Sequence, residues 1–147
     1  MRDALESGAA LRKFGDMLVR QGADAGVLDN PGRMPQARRQ RQIEAAATGY
    51  ISRLDAEAVG RAAVMLGAGR DRVDAAIDLA AGVKVLKKPG DPVRQGDDVL
   101  VLHYNDEERL APAIRLAQSA IDIAATPPTP APLVLGWVHA EGETSYL

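Results

Sequence analysis

The chain has 147 residues, which is enough for one ordinary domain or for one small domain with an appendage. Its formal net charge of −2 gives no electrostatic reason to expect a nucleic-acid or membrane-surface partner, and no apolar run reaches the ~20 residues that span a bilayer. The absence of cysteine excludes disulfides, thiol nucleophiles and Cys-ligated metals. It agrees with a cytoplasmic location, as does the lack of a signal-peptide apolar stretch after Met1.

The first 35 residues predict helix and then a boundary. Residues 2–21 predict an amphipathic helix, with a break or a new N-cap at Ser7-Gly8 and a stop at Gln21-Gly22. A short helical turn is expected over residues 24–28, and the Pro- and Gly-rich residues 29–35 predict a loop. The apolar residues close to one helical face are Leu5, Leu11, Phe14, Leu18 and Val19.

Two strands and a helix are predicted next. Residues 42–47 and 49–54 predict half-buried strands around Thr48-Gly49, with Ile43 and Ala45 set against Tyr50-Ile51. Asp55 is a suitable N-cap for a helix over residues 56–66, whose small side chains allow close packing. Residues 73–79 fit no single element.

The most informative stretch covers residues 86–103, and residues 82–86 lead into it. It predicts a strand, a tight turn, a short strand, a second turn and a third strand, which together form a small hammerhead β-module. Pro89-Gly90 and Gly96-Asp97 supply the turns. Because apolar residues fill both faces of residues 99–103, that strand is expected to be covered on both sides.

The last third predicts one helix and a few short strands. Asn105 or Asp106 is expected to cap a helix that passes through Arg109 to about Ser119, with Pro112 in its first turns. Residues 120–124 predict a strand, and the Pro-rich residues 126–132 an extended spacer. Residues 133–140 could add a strand, and residues 141–147 are expected to be loose.

Three polar motifs favour structural roles. Gly67-Ala68-Gly69-Arg70 resembles a phosphate loop, but it follows a helix, whereas such loops lie between a strand and a helix. A turn is therefore expected, with Arg70 available for a buried ion pair with Asp74 or Asp78.

Arg38, Arg39 and Arg41 lack the interleaved aromatic residues of single-strand binders, which favours a solvated or subunit-facing patch. His103 has no nearby second ligand, because His139 is distant in sequence, so a packed histidine bonded to a neighbour is expected. No catalytic, cofactor-binding or metal residue is predicted, and no cofactor.

Lys87-Lys88 raises the alternative of a lipoyl or biotinyl carrier. Carrier domains contain a Gly-Asp-x-Val-x-x-Gly-x-x-Leu run, which residues 90–99 resemble with Val99 in the last position. Their modified lysine lies in Met-Lys-Met or Asp-Lys-Ala context, and neither tripeptide occurs in this chain. The run therefore indicates shared β-architecture more than a shared cofactor.

Several segments, in order, resemble the C-terminal third of the thymidine and pyrimidine-nucleoside phosphorylases. The resemblance covers about residues 4–135. Its main segments are 5–14, 17–24, 35–37, 48–51, 62–70, 77–83, the hammerhead, 105–107 and 121–128. The family implies a reaction in which phosphate attacks the anomeric carbon of a pyrimidine nucleoside and releases the base and a (deoxy)ribose 1-phosphate. It also implies a substrate cleft between a helical and an α/β domain, and a homodimer.

The family's catalytic segments find no match in this chain. The Lys-x-Ser-Thr-Gly-Gly phosphate loop and the Arg, Ser and Lys residues that grip the pyrimidine are absent. We therefore expect a C-terminal piece that is inactive alone, with the rest of the parent phosphorylase as its partner and phosphate and nucleoside bound only in the parent.

The predicted fold is α+β: an N-terminal helical remnant and a compact hammerhead-like, barrel-sandwich type β-module with two packed helices. The predicted domains are residues 1–30, a remnant of the larger α/β domain, then 31–135, the phosphorylase C-terminal domain, and 136–147, a tail. The apolar face of the first helix is expected to pack on the β-module, to swap into a neighbour or to support self-association. A carrier and an autonomous interaction module remain the alternatives.

Overall fold

The computed structural model describes residues 2–70, 73–130, 132, 134, 136–138 and 144–146. Two three-stranded antiparallel sheets, one with the order β1-β5-β3 and the other β4-β2-β6, lie with the helices in an α+β arrangement, as expected; the sheets do not close into a barrel. The helices are α1 (Arg2–Glu6), α2 (Ala9–Arg20), α3 (Ala56–Ala63) and α4 (Leu110–Ser119). The strands are β1 (Arg39–Glu44), β2 (Gly49–Leu54), β3 (Gly82–Val85), β4 (Pro92–Val93), β5 (Asp98–Tyr104), β6 (Ile121–Ala124), β7 (Gly136–Val138) and β8 (Thr144–Tyr146).

The hammerhead prediction is confirmed, and the structure adds that the module bridges the two sheets. β3 and β5 pair with each other in the first sheet, while β4 pairs with β2 in the second. The turn before β4 extends this second pairing, because the Gly90 N–H donates to the Ile51 carbonyl at 2.8 Å. Gly90 and Gly96 both have positive φ, which is the conformation that their turns require.

β5 lies at the centre of the core and is covered on both faces, as predicted. Five of its residues are buried, and four of them pack in one cluster with residues of α3, α4 and the strands β1, β2 and β4. The core holds few large side chains, in keeping with the low aromatic content, and buried alanines let α3 and α4 pack closely together. Its buried members are Ile43, Ala45, Ile51, Ala62, Leu66, Val93, Val99, Leu100, Leu102, Tyr104, Ala113 and Ala117.

The expected pairing around Thr48-Gly49 is wrong. β1 pairs with β5, and β2 pairs with β4 and β6, so the two strands enter different sheets. β1 also begins at Arg39, earlier than expected, and ends at Glu44. The Ala45 N–H donates to the Asp97 carbonyl at 2.8 Å, which keeps the residue after β1 beside the start of β5 and apart from β2.

The N-cap predicted for α3 is confirmed, and the one predicted for α4 is wrong. Asp55 caps α3, since its Oδ1 accepts from the Ala58 N–H at 3.0 Å. α3 then passes at Val64 into one turn of π-helix, which lasts to Ala68. The cap expected for α4 at Asn105 or Asp106 is wrong, because α4 begins at Leu110 after Arg109.

The N-terminal helices break at Gly8, whose φ is +70°, and α2 ends before Gly22, whose φ is +79°, as the sequence predicts. Neither α1 nor α2 has a buried residue, and their packing contacts among the helices and strands are with each other and with the 3₁₀ turn Ala25–Val27. Among the residues that the structure describes, α1 and α2 therefore do not pack substantially on the β-module, which was one of the three expectations.

The C-terminal segment differs from expectation at one point. β7 lies within the predicted strand region 133–140, and it pairs antiparallel with β8, so residues 144–146 form a strand and not a loose tail. Residues 141–143 and 147 lie outside the described residues.

Candidate functional site

The glycine-rich motif at residues 67–70 is a structural turn, as expected. Gly67 lies inside the π-helical turn with a φ of +110°, and its carbonyl accepts the Asp78 N–H at 2.8 Å. Among the described residues between Gly69 and β3 there is no helix whose N-terminal N–H groups could cradle a phosphate. Arg70 is exposed, which excludes the expected buried ion pair.

The polar groups of Asp78 and Asn105 form a junction that the sequence did not predict. The Asn105 Nδ2 donates to the Asp78 Oδ2 at 2.7 Å, and the Asn105 Oδ1 accepts the Arg38 N–H at 2.8 Å. The Ala80 N–H donates to the Asp78 Oδ1 at 2.9 Å. We call Asp78, Asn105, Gly67 and the backbone of Arg38 the Asp78 junction.

The Asp78 junction joins the entrance to β1, the π-helical turn, the segment before β3 and the end of β5. The N–H of Ala80, together with the Asn105 amide, lowers the pKa of Asp78, although partial burial acts in the opposite direction. The carboxylate is therefore ionised at neutral pH, and each of its two oxygens accepts one hydrogen bond. The arrangement fixes chain segments to one another.

The basic run shows a solvated pattern. Arg38, Arg39 and Arg41 are exposed, and the Arg39 guanidinium forms a surface ion pair with Glu107. The interpretation as a solvated patch is therefore supported, and a subunit-facing role stays a prediction.

His103 lies in β5 between Gln40 of β1 and Gly82 of β3 and is half-buried. Within the described residues its ring makes no hydrogen bond, contrary to expectation, and no group of three His, Asp or Glu side chains could hold a metal. His139 lies outside the described residues.

Lys87 and Lys88 come after β3 and Leu86 and lead into the Pro89-Gly90 turn. The N–H groups of Leu86 and Lys87 both point to the Val99 carbonyl, at 2.9 and 3.3 Å, and the Lys88 N–H donates to the Asp91 Oδ2 at 2.7 Å. Both lysines thus lie on a segment whose backbone is held against β5 and by Asp91. Two charged side chains beside a hairpin turn need no functional explanation.

The clefts of the described surface are open. One, of about 530 Å³, lies between the end of β1 and α4 and has the exposed side chains of Arg41, Glu44 and Gln118 among its lining. Another, of about 560 Å³, lies along β2 and β4 beside Tyr50 and Asp97. Over residues 2–70 and 73–130, no Asp, Glu, His, Lys or Arg side chain is buried, so none of these acid–base groups is withdrawn from water.

Within the part of the chain that the structure describes, no helix is long and apolar enough to cross a bilayer. The described residues thus form a packed α+β domain that holds no enclosed polar pocket of its own.

Comparison with known proteins identifies the family. The family model described as the pyrimidine nucleoside phosphorylase C-terminal domain matches residues 50–124. The pyrimidine-nucleoside phosphorylase of Geobacillus stearothermophilus is 39% identical over 127 residues, which are 86% of this chain and 29% of that protein. The enzyme of the same name from Staphylococcus aureus (strain USA300) is 40% identical over 122 residues, which are 83% of this chain and 28% of that protein.

The chain belongs to the pyrimidine nucleoside phosphorylase family and carries the C-terminal domain of that family. It spans less than a third of the length of the curated relatives that it matches. The carrier alternative finds no support in these comparisons.

Proposed function

We propose that this chain is the supporting lobe of a pyrimidine-nucleoside phosphorylase. The whole enzyme would cleave pyrimidine nucleosides with phosphate to the free base and a (deoxy)ribose 1-phosphate. The observation that carries the proposal is the identity of about 40% to enzymes of that name over more than four-fifths of the chain. Catalysis of this kind depends on positioned groups that stabilise charge at the anomeric carbon, and such groups would come from the rest of the parent.

The chain alone is proposed to be inactive. The described residues bury no charged side chain and their clefts are open, so nothing among them would hold phosphate and sugar away from water. In the parent, the domain would buttress the catalytic portion and shape the closure of the cleft.

The exposed apolar face of α2 supports this reading. Phe14 is 45% exposed and Leu11 58% exposed, although both lie on the apolar side of a strongly amphipathic helix. We propose that the rest of the parent covers this face and that residues 1–30 belong with the larger α/β domain. Residues 31–135 would form the C-terminal domain, with residues 136–147 as a separate tail.

Location and assembly are further parts of the proposal. A cytoplasmic location is supported by the absence of cysteine from the sequence. The homodimer is what the family resemblance implies, and sedimentation of the assembled enzyme would test it.

Phosphorolysis assays test the proposal in two arms. The purified chain, made in a host without nucleoside phosphorylases, is incubated with phosphate and thymidine or uridine, and free base is measured by chromatography. No turnover is expected. A chimera in which this chain replaces the matched segment of the Geobacillus stearothermophilus enzyme is expected to release base. Turnover by the chain alone, or a folded but inactive chimera, would contradict the proposal.

The carrier alternative has its own assay. The chain is co-expressed with lipoate and biotin ligases, and its intact mass is measured. We expect the unmodified mass, and an adduct on Lys87 or Lys88 would argue for a carrier instead.

A further inference from the structure

Besides α1 and α2, exposed apolar side chains occur at several places in the described chain, among them the segment before β3. Ile77 is 43% exposed and Leu79 is 79% exposed, and they flank Asp78 on either side. We call these two side chains the 77/79 ridge. Scattered exposed apolar residues need no explanation, but two that flank a firmly held residue form a defined feature.

The backbone under the 77/79 ridge is fixed. Asp78 donates its N–H to the Gly67 carbonyl, and its carboxylate accepts from the Ala80 N–H and the Asn105 amide. Because two of these bonds, to Gly67 and Asn105, tie Asp78 to other parts of the domain and the third holds the local turn, its neighbours are presented on a firm support. A contact made by such side chains loses little conformational entropy, which favours binding.

The size of the ridge decides what can cover it. Two aliphatic side chains bury on the order of a few hundred Å² at most, well below the ~800 Å² per partner of a stable complex between separate proteins. A second copy of the chain would therefore gain too little from this contact alone. Another domain of the same polypeptide can bind the ridge through a much smaller contact area, because the covalent link raises its effective concentration to about the millimolar range.

The relatives have such a linked portion. The chain matches 28 to 29% of their length, so most of each relative is joined to the domain that this chain represents. We propose that the 77/79 ridge is a contact surface for the catalytic portion of a pyrimidine-nucleoside phosphorylase, the portion that precedes this domain in the relatives. This inference rests on the proposed function, and it adds a named surface in the C-terminal domain itself, separate from α2.

Hydroxyl-radical footprinting with mass spectrometry tests the contact without recourse to activity. The oxidation rates of Ile77 and Leu79 are compared between the isolated chain and the Geobacillus stearothermophilus chimera. Val85, which is 37% exposed at the end of β3, serves as the internal control. We expect a several-fold slower oxidation of Ile77 and Leu79 in the chimera and an unchanged rate at Val85. Equal rates at the ridge would overturn the proposal, and so would protection in the isolated chain that grows with its concentration, because that identifies a second copy as the occupant.

A double variant supplies a second measurement. Ile77→Ser with Leu79→Ser is expected to leave the thermal midpoint of the isolated chain unchanged, since both side chains are exposed there. In the chimera, the same pair is expected to lower the midpoint by several degrees or to split the transition into two, while Val85→Ser is not. An unchanged chimera would count against the ridge.

The two proposals fail separately. An inactive chimera with a protected ridge supports the contact and contradicts the proposed function, and an active chimera with an unprotected ridge does the reverse. A second chimera with the Staphylococcus aureus enzyme serves as a control for the case in which the Geobacillus stearothermophilus enzyme does not match this domain well. Failure of both chimeras to fold would count against the ridge, because a docking surface that fits should allow folding.

Discussion

Substituting alanine for Gly67 tests whether the backbone turn under the Asp78 junction is a strict requirement of this fold. Gly67 has a φ of +110° and is buried, and a Cβ added there would lie 3.3 Å from the Asp78 Cβ. An L-residue in a left-handed conformation costs about 1–2 kcal/mol. The tight contact adds about 1 kcal/mol, because the packed neighbour must move. We expect Gly67→Ala to lower the free energy of unfolding by about 2–3 kcal/mol in total.

Two other glycines separate the contributions. Gly90 has a φ of +96° with no neighbouring atom within 4 Å of an added Cβ, so Gly90→Ala measures backbone strain alone, about 1–2 kcal/mol. Gly60 lies in the interior of α3 with the same open space, so Gly60→Ala is expected to stabilise the chain by about 1 kcal/mol through helix propensity.

Urea unfolding followed by circular dichroism gives the three free energies at one temperature. The expected order of stability is Gly60→Ala above the parent chain, then Gly90→Ala, then Gly67→Ala. For a domain with a total stability of about 5–15 kcal/mol, the last change is large enough to measure with confidence. If Gly67→Ala is no less stable than Gly90→Ala, the contact between Gly67 and Asp78 is not the constraint we describe.

Three further predictions concern single side chains. Asp55→Ala is expected to destabilise the chain by about 1 kcal/mol in urea unfolding, because α3 loses its N-cap, while Asp55→Asn retains most of the stability; equal losses would argue against capping. Leu66→Ala is expected to cost about 2–5 kcal/mol, because Leu66 is 1% exposed in the core, whereas the same change at its 37% exposed neighbour Met65 costs much less, and similar losses would contradict the packing. The lowered pKa of Asp78 stabilises the fold; this contribution is fully present above the ordinary carboxyl pKa and is lost as the pH falls through the lowered value. The free energy of unfolding, measured from pH 6 to pH 2, should therefore depend less steeply on pH in Asp78→Asn than in the parent chain. An unchanged slope would exclude this linkage.

Local chemistry made part of this fold predictable. The turns at Gly90 and Gly96 follow from residue types that accept positive φ, and the structure has both glycines in that conformation. The cap at Asp55 is likewise a matter of one side chain and an N–H three residues away. The apolar character of both faces of β5 was enough to predict that this strand lies inside.

Partnership between distant segments could not be predicted in the same way. The sequence suggested that β1 and β2 lie together around Thr48-Gly49, and the structure instead sends β1 to β5. The residue pattern of a strand shows that one face is apolar, but it does not show which other strand pairs with it. Several strands could do so, and the choice among them depends on how the whole core packs.

The same reasoning explains what was missed at Asn105. Its sequence position suggested a helix cap, a contact over a few residues. In the structure its side chain joins Arg38, 67 residues away, to Asp78, 27 residues away. Polar groups of this kind have many local partners in an unfolded chain, and only the packed fold brings the distant ones within hydrogen-bonding distance.

By itself, then, the sequence determined the turns, the α3 cap, the central buried strand and the resemblance to the family. Each of these depends on neighbouring residues or on an ordered series of short segments. The tertiary structure alone decided which strands share a sheet, what Asp78 binds, and that α2 and the 77/79 ridge keep apolar surface in water. Those features depend on contacts between residues far apart in the chain, and such contacts exist only once the core has assembled.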